Sequence, residues 1–276
     1  MLRLSTNRNS ERKVRRTMIG KKWFYRLAAV VLTMGMGHVV VAQDAEAEPA
    51  APADGAAAVK KKPSWEKSAA MGLTLTDGNT DTLLFTAKVD ASKKWQQNEF
   101  VTGASITYGE DDQVKNNESI NAFAQYNRLL TERIFALARV AFLHDDIADV
   151  DYRVTASLGV GYYFIKKERT FLSAEIGPGV VFEKQGGEAS TYFTVRLAEN
   201  FEHKFSERAR VWQFVEFLPQ VDDVENFIVN AEIGAESALT DKVKLQVYLQ
   251  DTFDNRPAPG REENDFKLVS ALAMTF

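Results

Sequence analysis

Beyond the first 42 residues, two histidines and a scatter of carboxylates are the residues whose types could support catalysis or metal binding. His144 precedes Asp145 and Asp146, and His203 stands three residues before Ser206. A serine hydrolase needs a serine, a histidine and an orienting group within hydrogen-bond reach. His203 and Ser206 flank a short turn, where a lipid substrate has poor access. His144 lacks an obvious facing serine, and no Gly-x-Ser-x-Gly stretch occurs. In "DGNTD", Asp77, Asn79 and Asp81 have the alternate spacing of a calcium loop without the rest of that signature. Between alternating segments the same residue types are first of all hairpin-turn residues. Asp111, Asp112, Asp145, Asp146, Asp149 and Asp151 make one set of connections acidic. That rim is either solvated or shares divalent cations with anionic lipid head groups. Cysteine is absent, which excludes disulfides, thiolate metal sites and cysteine nucleophiles. The expectation is a non-enzymatic protein with no catalytic residue, metal site or cofactor.

The remaining charges are patterned. Lys88, Asp90, Arg139, Arg153, Glu175, Arg196, Arg210, Glu216, Glu232, Glu236, Lys244 and Lys267 lie on the polar parity of alternating segments. In 242–250, Val243, Leu245, Val247 and Leu249 oppose Lys244, Gln246 and Gln250; in 227–236, Phe227, Val229, Ala231 and Ile233 oppose Asn230, Glu232 and Glu236. Period-2 alternation of this kind predicts strands with unlike faces. Twelve are expected, over 67–76, 82–95, 99–109, 118–130, 132–144, 151–164, 170–182, 189–204, 208–221, 226–238, 242–254 and 265–276. Many exceed the five or so residues usual in soluble sandwiches. They suit a tilted crossing of a bilayer of ~9–11 residues with an extension.

The connections alternate between a short set ("WQQNE", "LTER", "IKKER", "FSER", "LTDK") and a mostly longer, acidic one ("GEDDQVKNNE", "HDDIADVD", "EKQGGE", "QVDDVEN", "DNRPAPGREEN"). The fold class expected is all-β: an antiparallel, outer-membrane-type transmembrane barrel of about twelve strands with both termini periplasmic. The twelve charges then face the lumen, either as structural ion pairs or as the lining of a narrow pore. A soluble sandwich or lipocalin-like barrel, with its apolar faces inward, is the alternative architecture.

The N-terminal residues have a separate character. Lys21, Lys22 and Arg26 precede an apolar run from Leu27, and Val40-Val41-Ala42 precedes Gln43. This is the layout of a secretory signal peptide over 1–42, with Met18 an alternative start and an uncleaved anchor the other reading. Residues 43–63 hold eight Ala and three Pro, a composition that cannot bury a core and reads as a linker. The barrel is expected over 64–276. Of 34 basic and 38 acidic residues, nine and one lie in 1–42. That leaves 25 against 37, a net charge of −12, which argues against a nucleic-acid partner.

"WEKSAAMGLTLTDGNTDT", "DYRVTASLGVGYYF", "FLSAEIGPGVVFEK" and the closing "DNRPAPG…D…F" together resemble the salt-induced outer membrane protein family, over roughly residues 64–276. The resemblance implies expression under salt stress and a place in the cell outer membrane; it supplies no catalytic residues. The last strand, "DFKLVSALAMTF", places Phe266 near the outer interface and Phe276 near the inner one, where aromatic residues are favoured. Its final aromatic resembles the signal by which barrel-assembly machinery recognises its clients. The expected partners are therefore the lipid bilayer, lipopolysaccharide and that machinery, with the protein a monomer.

Overall fold

In a bilayer every backbone N–H and C=O must be paired within the protein, and for strands only a closed sheet achieves this. The computed structural model describes residues 64–76 and 82–276. The expected signal peptide, linker and Asp77–Asp81 turn lie outside the described residues. Twelve antiparallel strands form one closed barrel, each hydrogen-bonded to its sequence neighbours and β1 to β12. The strands are β1 (Trp65–Thr76), β2 (Thr82–Trp95), β3 (Asn98–Asp111), β4 (Val114–Leu129), β5 (Ile134–Asp145), β6 (Val150–Lys166), β7 (Thr170–Gln185), β8 (Glu188–Ser206), β9 (Ala209–Pro219), β10 (Phe227–Ala238), β11 (Val243–Asp254) and β12 (Asn264–Thr275).

The faces are inverted relative to a soluble barrel. Met71, Val89, Ile106, Val140, Leu158, Phe193, Leu268 and Leu272 are exposed on the outside, Leu158 at 65%. Thr86, Gln125, Arg153, Glu175, Arg196 and Glu216 are buried on the inside. An apolar exterior around a polar interior is the arrangement of a membrane-spanning barrel and rules out the lipocalin-like alternative. Because the side-chain period is two, a slip of one residue in any strand would turn its charges into lipid, so the pattern fixes the register.

The loop asymmetry is smaller than the sequence suggests. "GEDDQVKNNE" and "EKQGGE" were expected as loops, but the strands run through them to two-residue turns at 112–113 and 186–187. Asp112 and Gln113 take φ of 49° and 63°, and Gly186 and Gly187 take 59° and 79°, the positive values a tight hairpin turn requires. The physical reason is that polar residues beyond the membrane still pair as strand when a neighbour continues alongside. Hence β3, β4, β7 and β8 are longer than expected. In the other direction, β9 stops at Pro219, and only an isolated bridge between Thr194 and Gln220 follows it.

The interior is not uniformly polar. Phe135 and Tyr163 stack at 4.6 Å, with Phe171 edge-on to Tyr163 at 5.4 Å. Ala70, Tyr248, Val269, Ala271 and Ala273 form a second apolar patch. Phe135, 1% exposed, lies flat over Gly161, where an added Cβ would stand 2.1 Å from its ring. Gly161→Val will therefore cost roughly 1–3 kcal/mol by overpacking. The loss reads as a lower temperature for the shift from fast to slow gel migration. A double variant with Phe135→Ala recovers part of it.

The twelve joints of the wall are unequal. Among the described residues β1 and β2 share twelve register pairs, from Trp65↔Lys93 to Thr76↔Thr82, whereas β1 and β12 share four, Ser68↔Thr275 to Met71↔Leu272.

Candidate functional site: a lumen crossed by ion pairs

Strands adjacent in the wall meet through their backbones, so a contact between inward side chains of non-adjacent strands crosses the interior. Several such connections occur among the described residues. Arg153 on β6 donates to Asp254 on β11 at 2.7 Å. Gln125 on β4 donates to Glu175 on β7 at 2.9 Å, and Tyr163 on β6 to Glu99 on β3 at 3.0 Å. Lys267 on β12 donates to Ser119 on β4 at 3.0 Å and lies 3.5 Å from Asp145 on β5. Lys88 on β2 stands 3.7 Å from Glu232 on β10, and Arg139 on β5 stands 3.7 Å from Glu216 on β9. The last two are Coulombic contacts, too long for hydrogen bonds.

The centre of the network is Arg196 on β8, 2% exposed. Its Nε donates to Glu216 at 2.5 Å and its Nη1 to Glu175 at 2.6 Å. Charge-assisted bonds this short are the strong kind, and they compensate the desolvation that otherwise makes a buried charge prohibitive. Asn230 donates to the second oxygen of Glu216 at 3.0 Å. Arg139 extends the layer: it donates to Gln125 at 3.3 Å, and its guanidinium lies over the Phe123 ring at 4.5 Å, a cation–π contact.

Two further groups flank this layer. Arg153 also donates to Glu183 at 2.5 Å and Gln185 at 3.2 Å. In the other, Arg210 bonds Glu202 at 2.7 Å and Glu236 at 3.1 Å, and Lys244 bonds Glu236 at 2.8 Å. Nearby, Trp212 Nε1 donates to Glu232 at 2.6 Å and Gln250 at 2.8 Å to its other oxygen. Asp90 fits beside Gly103, where a Cβ would sit 2.6 Å from its Oδ1. Only glycine leaves the room.

All twelve charges singled out in the sequence thus lie on the inward face, and eleven of them have a bonded or ion-paired partner named above; Asp90 is the other. Sequence reading missed Glu99, Glu183 and Asp254, although Glu183 shares the parity of Glu175, Asp254 that of Lys244, and Glu99 that of the buried Thr107 on its own strand. Asp145 was placed on the acidic rim, but it turns inward to Lys267 and accepts the amides of Ile147 and Ala148 at 3.1 and 3.0 Å. At the rim itself Asp146 bonds Lys115 at 2.6 Å, which holds its carboxyl below the usual range. Asp151 bonds Lys184 at 2.7 Å. His144 Nδ1 lies 2.9 Å from the Asp151 carbonyl, and His203 Nδ1 lies 2.9 Å from the Thr170 hydroxyl. Both histidines share the parity of the outward apolar side chains on their strands.

Residues 69–276 match the family described as "Protein of unknown function, DUF481". The chain belongs to the DUF481 family. Comparison of this DUF481 chain with curated proteins gives no match. Among solved structures, its barrel is similar to the NanC porin, at 7% identity and a TM-score of 0.46 over 77% of this chain and 99% of that one. It is similar also to the KdgM porin, at 8% and 0.43 over 77% and 99%. A third likeness is to the outer membrane channel DcaP of Acinetobacter baumannii, at 9% and 0.39 over 78% and 96%.

Proposed function

We propose that the protein is a non-enzymatic outer-membrane barrel that passes small ions through a constricted, charge-lined lumen. In this reading the leader exports the chain, both termini lie on the periplasmic side and the barrel serves the envelope under salt or osmotic stress. The resemblance to the salt-induced outer membrane protein family supports that setting. The observation that carries the reading is the set of side-chain connections across the lumen. Twelve strands lie between the filled barrels of about eight and the open channels of sixteen or more, and the crossings narrow what space remains.

The passage favours cations. Arg153, Arg196 and Arg210 each bond two carboxylates, so negative charge is in excess along the inward face. Planar-bilayer recording of the purified barrel tests this: the expected result is a small single-channel conductance with cation preference. Electrically silent bilayers would favour a closed structural barrel, and anion preference would refute the charge argument. Phe276 serves assembly in the same reading. Its deletion lowers the yield of assembled barrel in outer membranes far more than loss of one exposed side chain would, and normal yield would refute that role.

A further inference from the structure

The outward face of β8 carries one residue that does not belong in hydrocarbon. Phe193, Val195 and Leu197 precede Glu199, and Phe201 follows it, all of one parity and opposite to the inward Thr194, Arg196 and Ala198. Glu199 sits between Ala174 of β7 and Val215 of β9 in register, within the apolar exterior and away from either end of its strand. Its side-chain partner is Gln213 on the same outer face of β9, whose Nε2 donates to Glu199 Oε2 at 3.1 Å. Both residues are half-buried. A carboxyl at membrane depth is expensive and marks a functional contact by default. Lipid chains offer it no donor, whereas another protein surface does.

We propose that the β8–β9 outer face is a lateral contact between two copies of this barrel, centred on the Glu199–Gln213 pair. This rests on the membrane-barrel reading above and departs from the monomer expected from sequence. Three features of the pair select a second copy as the occupant. The pair is self-complementary: a primary amide carries two N–H donors, and the bond to Glu199 uses one, so Gln213 has another for the Glu199 of the partner. The two groups are bonded, so they lie at one depth. A two-fold axis between barrels of the same orientation runs along the membrane normal and brings equal depths together, as an isologous contact requires. The residues in register beside them, Ala174 and Val215, are short, so two walls can approach closely enough for the polar groups to meet.

The chain has no cysteine, so a single engineered thiol reports proximity cleanly. Leu197→Cys, outward and adjacent to Glu199, is treated in outer membranes with a short bis-maleimide. The expected product is a cross-linked dimer of this chain. Adding Glu199→Leu reduces its yield at least tenfold, Glu199→Gln keeps it, and Val89→Cys on the outer face of β2 stays monomeric. Fast gel migration before heating shows that each variant is a folded barrel, which separates failure of the dimer from failure of the barrel reading. No dimer from Leu197→Cys, equal dimer with Glu199→Leu, or cross-linking chiefly to another protein would overturn the proposal.

Discussion

Replacing Arg196 by alanine will destabilise the barrel by ~3–5 kcal/mol, the typical cost of removing one partner from a buried ion pair. The magnitude follows from what the guanidinium leaves behind. Glu175 and Glu216, 5% and 6% exposed, both lose the donor that offsets their desolvation, and Arg139 neutralises only one of them, from 3.7 Å. Lost Coulomb energy alone would be modest, because forming the pair barely exceeds the cost of burying it. The asymmetry makes a sharper prediction. A double variant with Glu175→Gln beside Arg196→Met removes the unmatched charge, leaves Glu216 to Arg139, and should recover most of the loss. Urea unfolding in detergent, followed by gel migration, measures both. A single variant as stable as the parent would show that the central layer is open to water.

The second large effect concerns conductance. Arg139→Ala removes the side chain that reaches from β5 towards β9 and lies across Phe123, with its guanidinium 5.9 Å from the Phe214 ring. It makes no hydrogen bond shorter than 3.3 Å, and its contact with Glu216 is Coulombic, so the fold depends on it less than on Arg196. We expect single-channel current to rise severalfold while the unfolding midpoint shifts little. Removing a cation from an already acidic passage should also strengthen cation preference. Unchanged current in a folded Arg139→Ala barrel would place the narrowest point elsewhere, with the stacked Phe135 and Tyr163 the next position to alter.

The sequence was informative where a single period controls the outcome. Lipid on one face and a polar interior on the other impose alternation on every strand, so Val243, Leu245 and Val247 against Lys244 and Gln246 disclosed both the element and its orientation. Strand ends were harder, because hydrophilic residues such as those around Asp112–Gln113 look like loop yet remain paired wherever the neighbouring strand continues. The interior aromatics were hidden for a different reason. Phe135 and Tyr163 share parity with polar residues, and only the cavity offered by Gly161 makes sense of them. Which charges meet across the lumen depends on strand tilt and stagger, which no local pattern encodes. Lys267 finding Ser119 and Asp145 is an example. Glu199 was legible as outward by parity alone, but its bond to Gln213 depends on the β8–β9 register.

The short joint between β1 and β12 has a consequence for time and not only for architecture. Every other strand pair can form as soon as both strands exist, but this one must wait until residues some two hundred positions apart are brought together, the slowest kind of contact to make. It then holds with the fewest backbone bonds. Ser68–Met71 and Leu272–Thr275 should therefore be the amides that exchange with solvent deuterium soonest within the wall, and the line along which an arriving or departing barrel is unzipped.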